Sequence, residues 1–83
     1  MIIINIDKAK AITHDRRRTA RAAEFAPHDD VMKAAAIGIP GMNTEAAEAA
    51  RQAIRIRHEV IQMRVDMADS PEALKAIIEG EGL

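Results

Sequence analysis

A single aromatic side chain, Phe25, serves the whole 83-residue sequence, and that scarcity limits what the chain can fold into. Aromatic residues contribute the largest apolar burial per side chain. The apolar share is high at 48%, but Ala supplies much of it, and Ala favours helix while burying little area. A chain of this length buries only a little over half of its unfolded surface, so its core is thin to begin with. Small domains usually compensate with a disulfide, a metal or a partner chain. With no Cys, neither a disulfide nor a thiolate metal site is available. The expectation is one small, mostly α-helical domain, a short N-terminal strand or extended arm followed by a helical hairpin with one long helix and a short C-terminal helix, whose helices need a further surface, either a second copy or another protein. The competing reading is a self-sufficient monomeric hairpin.

Charge narrows the functional classes. Residues 1–42 carry seven Lys/Arg and five Asp/Glu, and residues 43–83 carry five and eight. A net charge of −1 with so mild an asymmetry does not indicate a nucleic-acid partner. No apolar run approaches the roughly 18 residues that span a bilayer. Met1-Ile2-Ile3-Ile4 is too short for a signal-peptide core and has no basic segment ahead of it. No membrane association is expected, and the chain is expected to be cytosolic where it is made.

Breakers divide the chain. Ile2-Ile3-Ile4-Asn5-Ile6 is β-branched and bounded by Asp7, which reads as a short strand that must pair with self or partner. An extended arm or a first helical turn fits the same residues. Asp7 is a plausible N-cap for a helix through about Phe25, which Ala26-Pro27 should end because a residue preceding Pro avoids the helical region. A shorter helix from about Asp30 to Ile37 follows, then the break Gly38-Ile39-Pro40-Gly41. Asn43 or Thr44 caps the longest expected element, running to about Ala68. Ser70-Pro71 opens a closing helix, with Pro at the first helical position, to about Glu79. Leu74, Ile77 and Ile78 form its apolar face, and Gly80 and Gly82 end it. There is no internal repeat and no low-complexity tract.

The strongest periodicity lies on the long helix. Ala49, Ala53, Ile56, Val60, Met63 and Met67 are spaced alternately by four and three, a heptad seam, widened by Ala50, Ile54 and Ile61. The expected partner-binding residues are therefore Ile54, Ile56, Val60, Ile61, Met63 and Met67, with Ile2, Ile3 and Ile4 as a strand that adds to a partner's sheet. Arg16, Arg17, Arg18 and Arg21 are the densest charge cluster, suited to electrostatic contact with an acidic surface. The alternatives are a solvated face and weak nucleic-acid binding through phosphates. Arg51 and Arg55, like charges one turn apart, should be relieved by acids on a partner.

Nothing in the sequence marks an enzyme. His14, His28 and His58 share no metal-ligand spacing and read as solvated or capping histidines. Gly38-Ile39-Pro40-Gly41 is not a phosphate cradle. No cofactor is expected.

The order of parts resembles a known group. Met1-Ile2-Ile3-Ile4-Asn5-Ile6-Asp7-Lys8-Ala9 opens the chain, and Asp15-Arg16-Arg17-Arg18-Thr19-Ala20-Arg21 follows. Ala50-Arg51-Gln52-Ala53-Ile54 marks the long helix, and Ser70-Pro71-Glu72-Ala73-Leu74-Lys75 starts the last. This arrangement is similar to the short tail-fibre assembly proteins, or tail assembly chaperones, encoded beside tail-fibre genes in tailed bacteriophages. The resemblance implies binding to a tail-fibre or baseplate protein, as an assembly factor in the host cytoplasm or as a minor component of the virion tail. The alternative from the residues alone is a self-associating helical module with a regulatory role.

Overall fold

A computed structural model describes residues 5–83. Among them it contains three helices, α1 (Ile6–Ala36), α2 (Thr44–Met67) and α3 (Pro71–Glu81), and no strand. The mostly α class and the short closing helix agree with the sequence reading. Ile2, Ile3 and Ile4, the expected strand or arm, lie outside the described residues, while Ile6 is already the first residue of α1.

Capping chemistry sets most boundaries. Asn5, not Asp7, caps α1: its Oδ1 accepts from the backbone N–H groups of Asp7 and Lys8 at 3.1 and 3.2 Å. Asp7 sits in the first turn instead, where the helix dipole favours its charge. Asn43 caps α2 through the N–H of Ala46 at 3.0 Å, and Ser70 caps α3 through that of Ala73 at 3.2 Å. Gly38 follows α1 with φ +85°, and the N–H of Ile39 reaches back to the Ala34 carbonyl at 3.0 Å, a Schellman closure. Gly82 (φ +67°) does the same for α3, and Leu83 N–H bonds the Ile78 carbonyl at 3.0 Å. Gly80 lies within α3 and does not end it.

The largest departure from expectation is at Pro27. The two N-terminal helices expected from the sequence are one 31-residue helix with Pro27 inside it, so α1 and not α2 is the longest element. Proline in a helix interior removes one hydrogen bond and costs about 3 kcal/mol. Contacts to α2 on both sides of it, through Glu24 and Asp29, hold the helix through the defect.

The chain makes a rod of 61 × 16 × 16 Å. α1 and α2 run antiparallel as a hairpin, and α3 folds back to make a three-helix end. The core is confined to that end: Ile61, Val65, Ala68, Leu74 and Ile77 are buried, flanked by Ile6, Ala9, Ala73 and Leu83. Among the described residues, the only buried apolar one in the two-helix half is Ala47. The thin core expected from the composition is therefore what the fold contains.

Candidate interaction surface

α2 carries two stripes. Ala47, Ile54, His58, Ile61 and Val65 face α1 and α3, fully or partly buried. The seam singled out in the sequence lies on the other side. Ile56, Val60, Met63 and Met67 are 53%, 51%, 57% and 79% exposed, and Ala49 and Ala53 are exposed as well. Single exposed apolar residues are ordinary, whereas a continuous row of large ones is the mark of an interaction surface.

The structure thereby separates the residues expected to bind a partner. Ile56, Val60, Met63 and Met67 form one accessible row. Ile61 does not join it: it is a core residue, and Ile54 is half-buried against α1. Ile54 and Ile61 each follow a seam residue by one position, about 100° further round the helix, which turns them away from the row. Polar and charged residues edge the row. Gln52, Glu59 and Asp66 run along one side and Arg57 and Arg64 along the other.

The arginine cluster is split in the same way. Arg16, Arg18 and Arg21 are exposed, but Arg17 is buried at 7% exposure, so the four do not make one patch. Burial, and then the like charges of Arg18 and Arg21, lower the Arg17 pKa from the ordinary arginine value, with Asp66 opposing. Arg18 pairs with Asp15 at 2.9 Å, and the Arg21 guanidinium lies 4.9 Å from the Phe25 ring centroid. Both contacts lie within α1. Arg51 and Arg55 need no partner either: Glu48 takes both, at 2.9 and 3.0 Å, and Asp29 of α1 adds a contact to Arg51 at 3.1 Å. The Arg55 hydrogen bond foremost, with the charge of Arg51, holds the Glu48 carboxyl below its usual value.

What the sequence reading missed is the polar seam that joins the hairpin. Thr13, Arg17, Ala20, Glu24 and His28 recur along α1 at helical spacing, and Thr13 and Arg17 are buried. Thr13 satisfies its hydroxyl on the Ala9 carbonyl at 2.8 Å. His14 contacts Asp66 at 2.8 Å, and Lys10 donates to the Asp66 carbonyl at 2.8 Å. The central contact is Glu24, which receives His58 Nε2 at 2.5 Å on one oxygen and Arg57 on the other. His58 is 1% exposed, so it is an interior residue and not a solvated or capping one. Burial works to raise the Glu24 pKa, but the His58 hydrogen bond and the Arg57 charge outweigh it and hold the carboxyl below its usual value. Among the described residues, His58 Nδ1 is buried without a partner. An acid–base pair of this kind, packed between two helices, orients and pins the hairpin.

Shallow apolar grooves run on either side of Ile12, where α1 meets α3 and Leu83. Among the described residues no group of three or more His, Cys, Asp or Glu is placed to hold a metal ion. Among them, too, no helix is long and apolar enough to cross a membrane. No protein-family model, curated protein or solved structure matches the chain.

Proposed function

We propose that this chain is a non-catalytic, phage tail-associated protein that binds a tail-fibre or baseplate protein, as an assembly factor or minor virion component. The observation that carries the binding role is the row of Ile56, Val60, Met63 and Met67, each at least half exposed on one helix. A chain with so little apolar bulk to bury leaves its four most regularly spaced large side chains outside its own core. That arrangement is inexpensive only where another surface covers the row. The two Met residues at its end adapt readily to a partner's contour. The phage partner rests on the sequence resemblance.

The test is co-expression with the tail-fibre protein encoded beside this chain. Ile56→Asp and Val60→Asp place a charge at solvent-exposed positions, so each variant should keep its helicity and lose co-purification. A helical variant that still co-purifies overturns the assignment of this face.

A further inference from the structure

The edges of the exposed row say what fits against it. In heptad terms Ala53, Val60 and Met67 are a positions and Ala49, Ile56 and Met63 are d positions. The e edge then reads Ala50, Arg57, Arg64, neutral or basic throughout. The g edge reads Glu45, Gln52, Glu59, Asp66, neutral or acidic throughout. In a parallel two-stranded pairing a g residue meets the e residue five positions later on the other helix. Glu59 then meets Arg64 of the second copy, twice by symmetry, and Gln52 meets Arg57. In an antiparallel pairing e meets e and g meets g, so arginines face arginines and acids face acids.

Glu59 and Arg64 are free to do this, whereas the Arg57 guanidinium is already held by Glu24 and Glu81, so the pairing rests on Glu59 and Arg64. Among the described residues Glu59 makes no ion pair. Arg64 is 55% exposed while touching Glu81 at 3.0 Å through one nitrogen, which leaves further donors on its guanidinium. α1 packs on the face of α2 turned away from the row, and α3 flanks only its e edge, through Glu81 to Arg57 and Arg64, so Ile56, Val60, Met63 and Met67 stay at least half exposed to a second α2.

We infer that a second copy of this chain covers the row, forming a parallel homodimer through α2 in which Glu59 of each copy pairs with Arg64 of the other. This rests on the reading of the row as an interface and names its occupant when the tail protein is absent. From Ala49 to Met67 the seam is only about 27 Å long, so the dimer belongs to the small, reversible class of interfaces and dissociates on dilution.

The experiment is sedimentation equilibrium on the full chain over a concentration series, with helicity measured on each sample. The wild type should run from monomer to dimer. Glu59→Arg should weaken association about tenfold, and the double variant Glu59→Arg/Arg64→Glu, which restores opposite charges across the interface, should recover it. Because the chain has no Cys, Met67→Cys and Ile56→Cys each introduce a single thiol. In a parallel dimer each crosslinks to itself, whereas an antiparallel pair cannot bring both positions into self-contact. A helical chain that stays monomeric, a charge swap with no effect, or failure of either thiol to self-crosslink overturns the inference. The two readings fail separately. A monomer whose Ile56→Asp variant loses the fibre protein sinks the homodimer alone. A dimer broken by Ile56→Asp that still captures the fibre protein sinks the tail-protein interface alone.

Discussion

Replacing Glu24 should damage the fold in a way that depends on His58 and on pH. Among the described residues, Glu24→Ala removes the only partner of a histidine that is 1% exposed and whose other ring nitrogen already has none. Leaving a buried polar group unsatisfied costs about 1–3 kcal/mol, out of a total of roughly 4–12 kcal/mol for a domain of this size. Arg57 keeps Glu81 and is half in solvent, so its share is small. We expect Glu24→Ala to cost about 2 kcal/mol at pH 7, read from urea unfolding followed by helical circular dichroism. In the His58→Leu background, with no imidazole left to satisfy, the same substitution should cost under about 1 kcal/mol, a coupling that a double-mutant cycle isolates. The pH dependence has a fixed sign. The Glu24 pKa is depressed below its ordinary 4.5 in the folded state. Its contribution is therefore fully present above that value and is lost as pH falls through the folded pKa. The gap between wild type and Glu24→Gln should narrow as pH drops from 5 towards 3. Equal costs of Glu24→Ala in the two backgrounds, or a gap that widens in acid, would refute the role given to this pair.

Two further substitutions probe the fold. Leu74→Ala should cost about 2–3 kcal/mol, the low end for a core leucine because the site is thin enough to relax, and should release α3, seen as faster amide exchange over residues 71–81. Pro27→Ala should raise the urea midpoint, a stability gain of up to about 3 kcal/mol, since it restores a backbone donor inside a helix that already continues through this position; a lower midpoint would mean that the proline shapes the hairpin.

Much of this architecture is legible from punctuation. Asn43, Ser70-Pro71 and the Gly38–Gly41 break each mark a real boundary, because capping and left-handed glycines act locally. Pro27 misleads for the same reason. Its local penalty is genuine, but Glu24–His58 on one side and Asp29–Arg51 on the other tie the helix to α2 across it, and those are long-range contacts that no window of sequence contains. The two stripes of α2 show a second limit. Periodicity ranks faces by apolarity, so Ile56, Val60, Met63 and Met67 outrank the stripe that is actually buried, which includes His58. Its counterpart on α1 is Thr13, Arg17, Ala20, Glu24 and His28, a face that reads as solvated until its partners are known. The spacing of those five residues was the signal available, and only their polarity hid it.

The uneven distribution of the core along the rod makes the molecule mechanically two-sided. Opening should start at the Gly38–Asn43 tip, where two helices meet over little more than Ala47 and where proline has already weakened one ladder, and it should travel inward like a zip until Glu24 and His58 arrest it. A label placed on the tip would then record local fraying, whereas one near Val65 would record loss of the whole fold.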